Sequence, residues 1–362
     1  MKNNMKNLSQ LLLLTIFLII SSCDYVQNTD KQIVDNKTKK LKSKFEGYTV
    51  SHKWPLSIKI VYITDENGVE LKQYPNLSSI QLDTLYYGEK VDVIEEKENW
   101  FGIRRRITRN IIEYNNVIET TRWEKVYIPK NKTGTLAQIK ITNNNVKNIV
   151  SLNHNGHNEV YEKPFNIDKF IDIEVISEAV FRQKKDSIIS FVDNSLVDVI
   201  LKDSIIELQC NDTIVKYVSE PNKWEKPFTY NYIGEIKHLN KYILKLDGYE
   251  GYEYKFVDKE IGAITDTFSE FPQLSIDKKY LVIIYPNPYS QTGELTLYSI
   301  SQGETVFVMQ TNFKSWMPAR ENQELFWNKD GCLYLNVLPA MAFWNEYREL
   351  NDKYQYIKIS IL

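Results

Sequence analysis

Three cysteine thiols are the most reactive groups in this 362-residue chain. Cys23 directly follows an apolar run, whereas Cys210 and Cys332 lie far from it and from each other. A thiol can be acylated, can bind a metal as a thiolate, or can pair with a second thiol in an oxidising compartment. No two cysteines form a CxxC pair, so their spacing disfavours a zinc site. Cys210 and Cys332 either pair with each other or pack as small apolar residues.

Two further clusters carry side chains that could bind ions. His154 and His157 form a His-x-x-His pair, but the glycine between them favours a loop and no helical spacing supplies a third ligand, so we predict no metal site. Arg104, Arg105 and Arg106 could clamp a phosphate or a carboxylate. The alternative that we prefer places them on alternating sides of a long solvated hairpin, balanced by three acidic residues, Glu113, Glu119 and Glu124.

The sequence contains no constellation that is typical of an enzyme. It has no nucleophile elbow, phosphate-binding loop or metal triad. The acidic turn from Asp247 to Gly251 carries two carboxylates, but such turns are usually solvated. We therefore predict a non-enzyme without a cofactor. The net charge of −2 argues against nucleic acid or a polybasic membrane surface as a partner.

The N-terminus has the layout of a secretory signal. Lys2 and Lys6 precede an apolar run from Leu11 to Ile20, and small residues follow it. A run of ten residues is too short to span a bilayer comfortably as a helix. The run ends in Ile20-Ser21-Ser22-Cys23, which resembles a bacterial lipobox.

The lipobox resemblance implies a bacterial lipoprotein. Residues 1–22 would be the signal peptide, and Cys23 would carry acyl chains that anchor the protein to a membrane of the bacterial cell envelope. The alternative is an uncleaved anchor or an ordinary signal peptide. Residues 23–46 are polar and lysine-rich, which predicts a disordered tether. A flexible tether of about 25 residues has a root-mean-square reach of roughly 28 Å.

Residues 47–142 show short alternating runs separated by turn signals, as in a small β-barrel. Gly88, Val91, Val93 and Trp100 match key positions of the bacterial SH3-like domain, which this segment resembles. That family implies a non-catalytic domain that binds a peptide or a cell-wall polymer such as peptidoglycan. The segment departs from the family in a charged insertion over residues 104–121 and in its closing strand, residues 122–128.

Four aromatic residues could line the groove of such a domain: Tyr62, Tyr74, Trp100 and Trp123. The alternative for Trp100 is packing in the barrel core, because the family places a barrel tryptophan there. For Trp123 the sequence leaves groove and core equally open. Its flanks alternate polar and apolar residues, which indicates that one side of its strand meets water.

Residues 160–362 are again rich in strand-forming residues. Ser177 predicts the N-cap of one helix over residues 178–185. Weak repeats near residues 241–262, 279–304 and 332–359 resemble blades of WD40 or TolB-type propellers, but three copies cannot close a ring. We predict an all-β chain, in which a small SH3-like barrel precedes a larger antiparallel β-meander of blade-like hairpins. A β-sandwich is the alternative for this second domain.

These features predict a non-catalytic, lipid-anchored binding or scaffold protein of the cell envelope. Its partners would be a peptide or peptidoglycan and, through the lipid, a membrane. The alternative is an envelope hydrolase that its SH3-like domain targets to the cell wall. Four histidines and two remaining cysteines provide few groups for that chemistry.

Overall fold

The chain folds almost entirely into antiparallel strands. A computed structural model describes residues 56–113, 116–154, 157–158, 166–211, 213–320, 323–345 and 347–362. The predicted signal peptide, Cys23 and the predicted tether lie outside the described residues. Those residues contain 26 strands and one α-helix, α1 (Glu178–Lys185). The predicted all-β class is therefore confirmed.

The first sheet, sheet I, contains the segment that resembles an SH3-like domain. Its spatial order is β3-β2-β6-β5-β4-β1-β7. The strands are β1 (Lys59–Ile63), β2 (Val69–Lys72), β3 (Gln81–Leu85), β4 (Lys90–Glu96), β5 (Trp100–Glu113), β6 (Asn116–Pro129) and β7 (Thr133–Gly134). Pairings among the described residues leave this sheet open, so the closed barrel that we predicted is not observed there.

The charged insertion is part of the hairpin formed by β5 and β6. β4 has seven residues and β5 has fourteen, so at least half of β5 has only β6 beside it in the sheet. The hydroxyls of Thr108 and Thr121 lie 2.8 Å apart across this hairpin. The long hairpin that we preferred for the arginine cluster is therefore confirmed.

Four more sheets follow. Sheet II contains β12 (Val199–Lys202), β13 (Ile205–Cys210) and β14 (Thr213–Val218). Sheet III contains β15 (Phe228–Ile236), β16 (Lys241–Gly248), β17 (Gly251–Asp258) and β18 (Ile264–Phe268). In both sheets each strand pairs antiparallel with the next strand of the chain, which is the predicted meander.

Sheets IV and V combine local hairpins with strands from earlier in the chain. Sheet IV has the order β19 (Gln273–Leu274), β20 (Tyr280–Asn287), β21 (Thr292–Ser301), β22 (Glu304–Phe313), β8 (Ile149–His154) and β9 (His157–Asn158). Sheet V has the order β10 (Ile171–Ile176), β26 (Gln355–Ile361), β25 (Leu333–Pro339), β24 (Leu325–Asn328) and β11 (Ile188–Ile189). A further strand, β23 (Trp316–Pro318), pairs with β25.

Apolar clusters join these sheets in the order II, III, IV and V. Between sheets II and III the buried residues include Leu208, Cys210, Tyr242 and Leu244. Between sheets III and IV they include Ile243, Phe256, Leu281 and Ile283. Between sheets IV and V they include Leu295, Phe313, Trp316 and Leu335. Each sheet thus buries at least one face against a neighbour, and sheets III and IV each bury both faces.

The chain divides into two compact units. Among the described residues, the first unit comprises Leu56, Leu71–Asp83 and Ile94–Ile128. The second comprises Ser57–Glu70, Thr84–Val93 and Pro129–Leu362. In the second unit the side-chain amide of Gln355 donates a 2.9 Å hydrogen bond to the carbonyl of Ile141, and its oxygen accepts one of 2.7 Å from the amide of the same residue.

The predicted helix and the later cysteines are both described. α1 begins as predicted, because the Ser177 hydroxyl accepts a 3.3 Å hydrogen bond from the amide of Val180. Its Phe181 is fully buried. Cys210 and Cys332 are both free. Cys210 packs in an apolar core as one alternative predicted, while the Cys332 thiol lies 3.3 Å from the hydroxyl of Ser360.

Candidate functional site

The two units divide the four aromatic residues that we predicted to bind a ligand. Tyr62 belongs to the second unit, is 2% exposed and packs with Ile139 and Ala342. In this conformation its ring offers almost no surface to a ligand. Tyr74, Trp100 and Trp123 belong to the first unit, and all three are half-buried.

The core aromatic residue of β5 is Phe101 rather than Trp100. Phe101, Ile103 and Ile107 are 5%, 1% and 2% exposed, whereas Trp100 is only half-buried. Successive side chains of a strand point to opposite faces, so the odd-numbered residues occupy the buried face and Trp100 does not. The family resemblance suggested that Trp100 packs in the core. In the structure the next residue, Phe101, occupies the core position instead.

Trp123 is held against an arginine on the face of β6 opposite to Val126 and Ile128. The guanidinium carbon of Arg104 lies 4.3 Å from the centroid of the Trp123 ring, which is a cation–π arrangement. The flanking residue Glu124 is buried and Arg122 is half-buried. The ring is therefore oriented by its partner and remains partly accessible.

A second aromatic–cation contact lies further along β6. The Tyr127 hydroxyl donates a 2.8 Å hydrogen bond to Glu95, and the Lys125 ammonium lies 3.3 Å from the same carboxylate. The Lys97 ammonium lies 5.0 Å from the Tyr127 ring centroid. Tyr127 is itself 1% exposed, so its ring is buried beneath this contact and positions Glu95. We call Glu95, Arg104, Trp123 and Lys125 the aromatic–cation face.

The Glu95 carboxylate stays charged in this setting. Burial alone would raise its pKa, but the hydrogen bonds from Tyr127 and Lys125 outweigh burial and hold the pKa below the usual value. Gly102 leaves room for this arrangement, since a Cβ at that position would lie 2.8 Å from the Cβ of Glu95. The face thus combines a fixed negative charge with cations and the partly accessible ring of Trp123.

A buried ion triad secures the other side of the same strand. Glu124 is 1% exposed and accepts hydrogen bonds of 2.9 and 2.7 Å from Arg109 and of 2.7 Å from Arg122. Burial would raise the pKa of Glu124, but the two guanidinium groups outweigh burial and lower it. By holding Glu124 on the buried face, the triad fixes the rotation of β6 about its own axis. The neighbouring Trp123 therefore points to the opposite face.

The sequence pattern contained a signal for this triad that we did not use. Arg122, Glu124, Val126 and Ile128 alternate with Trp123, Lys125 and Tyr127, so Glu124 shares a face with two apolar residues. An acidic residue on an apolar face requires a cationic partner. We predicted Glu124 as part of a solvated balance to Arg104–Arg106, whereas its ion partners are Arg109 and Arg122.

The second unit contains an apolar cleft of about 270 Å³. It is bordered by β11, β19 and β24, and its lining residues include Ile189, Phe191, Phe271, Leu274 and Trp327. No ionisable side chain lines it.

The described part of the chain has no group of three or more His, Cys, Asp or Glu residues placed to hold a metal ion. None of its helices is long and apolar enough to cross a membrane.

Comparison of this chain with known protein families, with curated proteins and with solved structures finds no match. The resemblances to a lipobox, to an SH3-like domain and to propeller blades therefore stay predictions. What the aromatic–cation face can do chemically follows from its own geometry. It combines the partly accessible ring of Trp123 with a guanidinium, an ammonium and one carboxylate, which suits a ligand that carries both apolar and polar groups.

Proposed function

We propose that the mature protein is a non-catalytic, lipid-anchored binding or scaffold protein of the bacterial cell envelope. It would bind a peptide or a cell-wall polymer through the aromatic–cation face. The observation that supports this proposal most strongly is the 4.3 Å cation–π contact between the Arg104 guanidinium and a Trp123 ring that stays partly accessible. Aromatic residues and arginines carry much of the binding energy at protein interfaces.

The chemistry of the face favours a peptide-bearing ligand. The Arg104 guanidinium carries planar hydrogen-bond donors, which match carboxylates and amide carbonyls in geometry. The half-buried Trp123 provides a flat apolar surface next to those donors. The peptide stems of peptidoglycan supply carboxylates, amides and apolar side chains together, so they fit this pairing of groups.

The Glu124 triad supports a binding role because it preorganises the face. A ligand that meets a fixed ring does not pay for ordering it, and affinity rises accordingly. The sequence Ile20-Ser21-Ser22-Cys23 supports the anchor. A tether with a reach of roughly 28 Å would let the folded body meet a polymer near the bilayer.

A sedimentation experiment tests this proposal. The unlipidated Cys23→Ser chain is mixed with insoluble peptidoglycan, and the bound fraction is measured for the parent, Trp123→Ala and Trp224→Ala. Trp224 is 95% exposed and belongs to the second unit, so it controls for the loss of a surface tryptophan. We expect Trp123→Ala to weaken binding at least about tenfold, or ~1.4 kcal/mol, and Trp224→Ala to bind like the parent. Equal binding by all three proteins would contradict the proposal.

A further inference from the structure

Exposed tyrosines gather at the turns of two neighbouring sheets. Tyr249 lies in the turn between β16 and β17 of sheet III and is 78% exposed. Tyr289 lies in the turn between β20 and β21 of sheet IV and is 99% exposed. Tyr252 follows the first turn and is 42% exposed. Large rings at such turns contribute little to the core and are available for contacts.

Both turns lie at the same end of the two sheets. Lys241, the first residue of β16, forms a 3.9 Å ion pair with Glu304, the first residue of β22. β20 begins at that same end, because Tyr280 pairs with Ser299 near the turn that precedes Glu304. β16 and β20 therefore start at the same end. At the other end Glu270, which accepts a hydrogen bond from Tyr252, is close enough to act electrostatically on Tyr285 near the end of β20. Their C-terminal turns carry the exposed tyrosines.

The loop from β18 to β19 connects the two sheets at this end and carries Glu270. The Tyr252 hydroxyl donates a 2.6 Å hydrogen bond to the Glu270 carboxylate. The ring of Tyr254 packs against Phe271 of the same loop, with centroids 5.4 Å apart. Lys245 lies 4.6 Å from the centroid of the Tyr252 ring. Burial raises the pKa of Glu270, against the opposing effect of Tyr252.

A second carboxylate lies at the sheet IV side of this end. The Asn287 amide donates a 2.7 Å hydrogen bond to Glu294, and burial together with Glu294 raises the pKa of Tyr285 to about 12. The Asn287 side-chain oxygen accepts a 3.1 Å hydrogen bond from the backbone amide of Tyr289. The same asparagine thus fixes the turn of the exposed ring and contacts the carboxylate.

We propose that Tyr249, Tyr252, Glu270, Tyr289 and Glu294, which we call the tyrosine end, form a binding site for an uncharged oligosaccharide. Pyranose rings present flat C–H faces that stack on aromatic rings, and their hydroxyls donate hydrogen bonds to carboxylates. The tyrosine end offers both groups, and at Tyr252 and Glu270 a ring and a carboxylate are in direct contact. This site is additional to the aromatic–cation face and does not depend on it.

The local charge selects against acidic polymers. Around the two turns, carboxylates outnumber cations: Asp247, Glu250, Glu253, Glu270 and Glu294 stand against Lys245, Lys255 and Arg320. A ligand that carries carboxylates or phosphates would meet repulsion here, whereas neutral hydroxyl groups would not. The proposed oligosaccharide ligand therefore carries no charged groups.

The test titrates the unlipidated full chain with soluble tetrasaccharides by isothermal calorimetry. The probes are the uncharged tetramers of β-1,4-linked N-acetylglucosamine and of β-1,4-linked glucose, and the acidic tetramer of galacturonic acid. We expect millimolar or tighter binding of at least one uncharged tetramer and at least about tenfold weaker binding of the acidic one. Failure of both uncharged tetramers to bind, or tighter binding of the acidic tetramer, would overturn the proposal.

Variants locate the site. Tyr249→Ala and Tyr289→Ala should each weaken binding by about tenfold, in line with the loss of a stacked ring. Tyr347→Ala is the matched control, since Tyr347 is 74% exposed in a different loop of the same unit. Its binding should equal that of the parent. Parent-like binding by both test variants, with unchanged melting temperatures, would also overturn the proposal.

Discussion

Removal of the Glu124 carboxylate should destabilise the first unit strongly. In the Glu124→Ala variant, Arg109 and Arg122 lose an acceptor that is 1% exposed and lies 2.7 Å from each of them. Deleting one partner of a buried ion pair typically costs ~3–5 kcal/mol, because the remaining charge is left uncompensated. Both arginine side chains are 20% exposed and can be partly rehydrated, so we expect about 3 kcal/mol.

The same triad makes stability depend on pH. The pKa of Glu124 in the folded state lies below its usual value. Its contribution is therefore fully present above the unfolded-state pKa, which is ~4.3 for a glutamate. It is lost as the pH falls through the folded-state pKa. Glu124→Gln should be less stable than the parent at neutral pH and should lose less stability on acidification.

Hydrogen exchange of the β5 and β6 amides measures this effect where it arises, and urea unfolding gives the global value. Glu119→Gln is the matched control, because Glu119 is an exposed carboxylate on the same strand. Its stability should lie within ~0.5 kcal/mol of the parent. A Glu124→Ala variant whose β5 and β6 protection matches that of Glu119→Gln would refute the assignment of the triad.

Three further predictions concern other parts of the chain. Cys23→Ser should abolish incorporation of labelled fatty acid and signal cleavage in cells, and persistent acylation would exclude the lipoprotein anchor. Phe101→Ala should lower the free energy of unfolding by ~3–5 kcal/mol, and Trp100→Ala should lower it by clearly less. Urea unfolding measures both losses, and equal losses would contradict this prediction. Gly68→Ala should cost more than ~1 kcal/mol, because φ is 78° and a Cβ would lie 2.5 Å from the Leu85 carbonyl oxygen; a parent-like melt would contradict this.

Local elements could be predicted from the sequence because their signals are local. Ser177, the acidic Glu178 after it and the basic residues at the end of the segment predicted α1. In the structure the helix begins directly after Ser177. Val69 and Leu71 alternate in the sequence and are 2% and 0% exposed in β2. A cap or a two-residue period depends only on neighbouring residues, so one sequence suffices to read it.

Pairings between distant segments could not be predicted in the same way. β10 pairs with β26, which joins Ile171 to Ile361, and β8 adds to the edge of β22, which lies far along the chain. Many strands have compatible alternation, so their pattern does not choose a partner. The burial of Tyr62 depends on Ala342, which lies in a distant part of the chain.

The candidate site was predicted in part. Trp123 was expected on a strand with one solvent-exposed face, and in the structure it is half-buried and contacts Arg104. The Glu124 partners were not identified, because their selection depends on how β5 and β6 align. The tyrosine end was also missed, since Tyr252 and Glu270 meet only when the loop after β18 returns to β17.

The indole N–H resonance of Trp123 provides the most direct test of the proposed binding face. The unlipidated chain is titrated with soluble muropeptides and followed by two-dimensional NMR, with the resonances assigned from Trp123→Phe and Trp224→Phe variants. We predict a saturable shift of the Trp123 indole signal and an unchanged Trp224 signal. Saturable binding that leaves the Trp123 signal unmoved, or no binding at all, would contradict a ligand site on the aromatic–cation face.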